Sequence, residues 1–257
     1  MLNKLLRSRV TPAIVPVLIV IVWQLLGEFG LISVRTLPTP LKVAEAGWTL
    51  AKSGDLLQYI GSSTRRAFIG FIIGGGIGFV LGMLNGLSWA ANRLLDSSMQ
   101  MIRNVPHLAL IPLVILWFGI GETAKIFLVV LGVFFPIYMN TLHGIRSVDP
   151  GLIEMAKVYG LRGFALYRHV ILPGAISSIL VGVRYALGFM WLTLIVAETI
   201  SANSGIGYMA MNAREFMRLD IVVLAIIIYA LLGKLSDTAA RLLEQQLLKW
   251  HPNYAKR

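Results

Sequence analysis

Six stretches of this chain are apolar for about 20 residues each, more than any water-soluble fold of this size can hide. They run over Pro12 to Leu31, Arg66 to Leu87, Met99 to Phe118, Thr123 to Leu142, Ala175 to Ile200 and Ile221 to Ala240. A helix rising about 1.5 Å per residue needs about 20 residues to cross about 30 Å of hydrocarbon, so each stretch can span a bilayer. Composition agrees: of 257 residues, 57% are hydrophobic and 14% charged, with a mean hydropathy of +0.76. The fold class is therefore an all-α integral membrane protein with six transmembrane helices. It is read as one domain over residues 1–257, because no low-complexity run or hydrophilic linker separates two units.

The net charge of +11 could indicate nucleic acid, but no basic patch with interleaved aromatics accompanies it. Excess Lys and Arg is what cytoplasmic loops of membrane proteins carry. With the amino terminus inside, Lys4, Arg7, Arg9, Arg93, Arg146, Lys157, Arg162, Arg168, Arg241, Lys249, Lys256 and Arg257 fall on the cytoplasmic side. Arg35, Lys42, Lys52, Arg65, Arg66, Arg214 and Arg218 fall outside. The bias places both termini in the cytoplasm. The basic start followed by Pro12 to Leu26 has the look of a secretory signal, yet no small-x-small cleavage site follows at Gly27-Glu-Phe-Gly30, so it reads as an uncleaved first span. The stretch from Ser33 to Ser63 reads as an external loop with a surface helix, and Asn203 to Tyr208 as a glycine-rich outside turn.

There are no cysteines, so disulfides and thiolate metal sites are excluded, and the four histidines lack ligand-like spacing. No residue is assigned to catalysis, to a cofactor or to a metal. Gly74 to Gly78 is no phosphate loop, since no strand precedes it, and Gly233-Lys234 lacks both the upstream glycine and the following hydroxyl of a Walker A loop. ATP is not bound by this chain. Ser88, in Gly86-Leu-Ser-Trp89, superficially offers a nucleophile with His107 or His143 as base, but nothing like an oxyanion site accompanies it.

Within the spans, Gly70, Gly74, Gly78, Gly82 and Gly86 recur every fourth residue and form one ridge drifting by roughly 40° per step, on which another helix backbone can approach closely. Pro106 and Pro112, with Arg103, Asn104 and His107, interrupt the third span, and freed carbonyls belong on a cavity wall. Counting about 11 residues inward puts His107, and from Pro173 also Arg184, about 16 Å deep. A charge there costs about 2.5 to 3.5 kcal/mol, so Arg184 should face a wet pathway, a paired carboxylate, or carbonyls at a packing contact rather than lipid. Glu198, near the end of its span, is either a gate residue or an interfacial carboxylate, and its position favours the second. Asn104, His107, Arg184 and Glu198 are the candidate pathway residues.

The polar loop at about 147–173 stands apart. Asp149 can cap a helix whose first residue is Pro150, and Gly160 can supply the left-handed residue that ends it. Leu152, Met155, Ala156 and Tyr159 recur at three- and four-residue steps, giving one apolar face while Glu154 and Lys157 stay wet. Such a face wants a groove.

Glu154-Met-Ala-Lys-Val-Tyr-Gly160, followed by Val170-Ile-Leu-Pro173, resembles the E-A-A, three residues, G, nine residues, I-x-L-P signature of the permease subunits of bacterial ATP-binding-cassette importers, with Met155 and Val170 as mild departures. Arg103 to Pro112, Trp117 to Gly121 and Ala197 to Tyr208 extend the likeness over nearly the whole chain. These stretches look most like the aliphatic sulfonate, taurine and nitrate branch, and closest to its aliphatic sulfonate member. The resemblance implies a type I importer permease fold in the bacterial inner membrane, with Glu154, Met155, Ala156, Gly160, Leu172 and Pro173 forming the contact to an ATPase. It implies a second copy of this permease, two ATP-binding-cassette ATPase subunits that hold ATP and Mg, and a periplasmic or lipid-tethered solute-binding protein. A carrier or channel driven by an ion gradient is the alternative class, but it would need buried coupling carboxylates, and the acidic residues here sit nearly all at span ends or in loops.

Overall fold

The computed structural model describes residues 11–33, 36–201 and 203–250. The basic clusters Lys4 to Arg9 and Lys256 to Arg257, Arg35 and both termini lie outside the described residues. Described secondary structure is helical throughout: α1 Thr11–Glu28, α2 Pro40–Ser53, α3 Asp55–Leu87, α4 Trp89–Arg103, α5 Ile111–Phe118, α6 Glu122–Arg146, α7 Pro150–Val158, α8 Gly163–Leu166, α9 Leu172–Ser201, α10 Ile206–Glu215 and α11 Leu219–Leu247. A 3₁₀ turn over His107–Leu110 precedes α5, and a π turn over Tyr167–Ile171 joins α8 to α9.

Four helical runs are long and apolar enough to cross a membrane: Asp55–Leu87, Glu122–Arg146, Gly163–Ile200 and Leu219–Leu247. Two of the six expected spans therefore differ. The first is a shorter apolar helix, with Pro16 inside it. The third is not one helix, since α4 and the segment His107–Phe118 meet at a bend of 81°. Pro106 has no N–H to continue α4, and the residue before a proline is pushed out of the α region, so the chain breaks there. His107 thus begins a new turn beyond the break, and its depth cannot be counted along a continuous span. The second span starts 11 residues earlier than its apolar run, at Asp55, because Gly54 adopts φ +84° and separates it from α2. The stretch from Ser33 to Ser63, expected as an external loop with a surface helix, thus holds α2 and the first two turns of α3.

The centre of the bundle is α6, flanked by α3 on one side and α9 on the other. The glycine ridge explains the first contact. A Cβ at Gly74 would stand 2.5 Å from the Val130 carbonyl oxygen, at Gly78 2.6 Å from that of Phe134, and at Gly82 2.7 Å from that of Tyr138. Gly70 and Gly86 lie against Val129 and Ile145. The closeness is what small residues permit where lipid offers no hydrophobic drive between helices. Around α6 the main core gathers Ala67, Val133, Ile137, Met190, Leu194, Ile206 and Tyr229 from five helices.

Candidate functional site

Three places carry the unusual chemistry, and the first is the loop. Asp149 Oδ1 accepts from the Gly151 N–H at 2.8 Å and Pro150 opens α7. At the other end Gly160 has φ +85°, its N–H reaches the Lys157 carbonyl, and the Leu161 N–H reaches that of Ala156. Those two bonds form the paired closure that needs a left-handed residue at Gly160. The exposed apolar face keeps three of the four residues the periodicity gave and departs from it at Ala156. Leu152, Met155, Val158, Tyr159 and Phe164 are exposed, whereas Ala156 is buried, because α7 lies on α8 and the π turn. Glu154 and Lys157 are exposed. Leu172 packs with Ile145, Ala175 and Ile179 inside the bundle. Pro173 does not begin a span: it lies within a helical run that the π turn makes continuous from Gly163 to Ile200.

The second place is one face of α9. Val181, Arg184, Tyr185, Gly188, Phe189 and Leu192 recur at three- and four-residue steps and, with Asp237 of α11, line a cavity of about 580 Å³. Arg184 Nε donates to Asp237 Oδ1 at 2.6 Å. Asp237 Oδ2 also meets Arg241 Nε at 3.0 Å and Lys234 Nζ at 4.0 Å. His107 reaches the same face, its ring 6.4 Å from that of Phe189, and its Nε2 is buried without a hydrogen-bond partner among the described residues. Asn104 caps the end of α4 and is exposed at the bend.

The third place is a buried ion cluster at the end of the bundle away from the loop. Arg66 forks onto Glu122, Nε to Oε2 at 2.6 Å and Nη2 to Oε1 at 2.7 Å, and turns Nη1 to Glu198 Oε1 at 2.6 Å. Ser63 and Tyr229 hydroxyls and the Gly207 N–H also donate to Glu198, while Lys125 donates to Glu122 at 2.7 Å. Glu198 is only 1% exposed and Arg66 3%, so Glu198 is no interfacial carboxylate. The sequence reading missed Arg66, Glu122 and Asp237 as partners; the one available signal was that an unpaired charge inside a span must find a counter-charge.

The chain as a whole has relatives among known proteins. A model of the binding-protein-dependent transport system inner membrane component family matches residues 74–249. An Escherichia coli (strain K12) chain named for aliphatic sulfonates transport, SsuC, is 65% identical over 96% of this chain and 94% of its own length. The taurine transport system permease protein TauC of the same organism is 37% identical over 90% of this chain and 86% of its own. Among solved structures, one of the MetNI methionine ABC transporter in an inward facing conformation covers 77% of this chain and 97% of its matched chain, with a TM-score of 0.53 at 20% identity; that is a likeness of fold.

Proposed function

The chain belongs to the family of binding-protein-dependent transport system inner membrane components, and on that premise we propose that it imports aliphatic sulfonates as the membrane subunit of an ATP-driven transporter. Taurine or nitrate is the related cargo that its relatives' names suggest. Two copies enclose the pathway, two ATPase subunits dock on the cytoplasmic side, and a solute-binding protein delivers cargo from outside. The observation that carries this reading is the exposed apolar patch of Leu152, Met155, Val158, Tyr159 and Phe164 on a short, doubly capped helix. Nothing among the described residues covers that patch, and a set of large apolar side chains this dense fits a protein groove.

The mechanism follows from the connection. α7 packs on α8 and the π turn, which continue without a break into α9. A displacement of the docked patch is therefore transmitted along a run of 38 residues, about 57 Å of helix. ATP-driven closure of the ATPases would tilt that rod and open or close the cavity beside Arg184. Glu198 takes no part in ion coupling on this reading, because both its oxygens are occupied by Arg66, Ser63, Tyr229 and Gly207.

Expression in an Escherichia coli strain lacking its own 65% identical relative should restore growth on an aliphatic sulfonate as sole sulfur source. The same membranes should yield an ATPase that co-purifies with this chain. Absence of both results would end the reading.

A further inference from the structure

The face of α9 that lines the cavity combines two kinds of surface. At one end Arg184, Lys234 and Arg241 surround Asp237, and Glu244, three residues beyond Arg241, also acts on Arg184. Three cations meet two carboxylates, so one positive charge is left over. At the other end Val181, Tyr185, Phe189 and Leu192 present exposed apolar wall, and the His107 ring abuts Phe189 edge-on. The volume of about 580 Å³ lies within the range of small-molecule sites. An ion pair whose Arg184 side chain is 41% exposed cannot be left to hydrocarbon, so this face meets water or cargo.

We propose that Arg184 and Asp237 form an exchangeable counter-ion site for an amphiphilic monoanion: the anionic head group takes Arg184 from Asp237, and its aliphatic tail lies along Val181, Tyr185, Phe189 and Leu192. The site rests on the transport reading above and names its cargo class within the membrane. Asp237 acts as a built-in surrogate anion. It keeps Arg184 neutralised while the site is empty, and when cargo arrives it retains Arg241 at 3.0 Å and Lys234 at 4.0 Å, so no carboxylate is stranded. The surplus charge selects a monoanion, and the apolar wall selects a hydrocarbon tail over a bare oxyanion. Release is favoured by the same competition, since Asp237 is always there to reclaim Arg184.

Direct binding tests this without ATP or a binding protein. The full chain, purified with its ATPase into nanodiscs, is titrated with radiolabelled hexanesulfonate. Asp237→Asn removes the competitor and should tighten binding about tenfold, while Arg184→Gln should weaken it by about tenfold or more, the worth of one charge-assisted hydrogen bond. Arg241→Gln, at an exposed position, should weaken binding about twofold to fivefold, because Asp237 then has Arg184 more to itself. From methanesulfonate to hexanesulfonate the affinity should rise by up to about fourfold per methylene, and Phe189→Ala should flatten that rise. Rescue of growth with affinity unchanged in Asp237→Asn, or independent of chain length, would overturn the site and leave the transport reading standing. Loss of growth rescue alongside these binding effects would support the site and sink the transport reading instead.

Discussion

Arg66 and Glu198, 132 residues apart, meet at 2.6 Å between Nη1 and Oε1, and the pair closes the end of the bundle away from the loop. Its neighbours show what it organises. The Gly207 N–H donates to Glu198 and the Ile206 N–H to the Ser63 hydroxyl, so the first N–H groups of α10, which have no partner within their own helix, are capped from α9 and α3. A carboxylate at a helix N-terminus is favoured by the helix dipole as well. With Glu122 of α6 and Tyr229 of α11, five helices and the turn at Ser204 are thus tied at one point.

Removing one side of a buried pair leaves an uncompensated charge and typically costs about 3 to 5 kcal/mol. Glu198→Gln should therefore lower the unfolding temperature and the abundance of the permease sharply. Glu122→Gln should be milder, about 1 kcal/mol, because the Glu122 side chain is 47% exposed and water screens the lost charge. Thermal unfolding of the two variants in detergent checks the order; equal losses would mean that Arg66 draws equally on both carboxylates.

The glycine ridge gives an internally controlled prediction. Gly74→Ala would drive a methyl group to 2.5 Å from the Val130 oxygen, a backbone atom that cannot swing away, whereas a Cβ at Gly76 would meet nothing within 4 Å. Overpacking of this kind costs about 1 to 3 kcal/mol. Gly76→Ala removes a flexible residue from mid-helix and should be neutral or stabilising by about 0.5 to 1 kcal/mol. Steady-state level and thermal unfolding measured side by side would separate them, and identical behaviour would remove α6 as the ridge's tight partner.

The sequence made one kind of information legible and concealed another. Local features could be read because their cause is local: Asp149 and Pro150 start α7, Gly160 ends it, and Pro106 breaks the third span. Apolar runs located the long helices for the same reason, although α3 outruns its apolar stretch at Asp55. Pairing across the bundle was hidden. Arg66 and Glu198 each lie near the end of an apolar run, where a solitary charge is ordinary, and only the approach of α3 to α9 reveals that both are buried. Ala156 failed differently: periodicity assigns residues to a face of a helix but cannot say whether that face meets the same chain or another. Arg184 came closest, since the cost of an unpaired charge demanded a partner before Asp237 was found.

Pro173 has a consequence one turn upstream. Lacking an N–H, it cannot bond to the His169 carbonyl, and the helix before it widens so that the Leu172 N–H reaches back five residues to Tyr167. Such π turns insert one residue into the helical register. Pro173→Ala restores the donor and should return the segment to α geometry, turning α8 and the patch resting on it by about 100° relative to α9. Abundance should hold within about twofold, since alanine is the better helix former. Transport per ATP hydrolysed in proteoliposomes should fall, and an unaltered ratio would show that the π turn has no part in coupling.

The apolar patch and the residue beneath it should respond in opposite ways to the same chemistry. Met155 is 52% exposed and Ala156 only 5%, although they are adjacent on α7. Met155→Asp places a charge in water while the permease is free, so its own unfolding temperature should not move. It then denies the ATPase groove a side chain whose burial contributes about 1.5 to 3 kcal/mol, and leaves a carboxylate to be desolvated on docking. Ala156→Asp instead buries a carboxylate between α7 and the π turn of the same chain, so the loop should loosen before any partner arrives. The measurement pairs ATPase co-purification with thermal unfolding of the isolated permease. Met155→Asp should lose the ATPase with an unchanged unfolding temperature, and Ala156→Asp should lose both. A Met155→Asp protein that keeps its ATPase at wild-type stoichiometry would remove the patch from the docking surface.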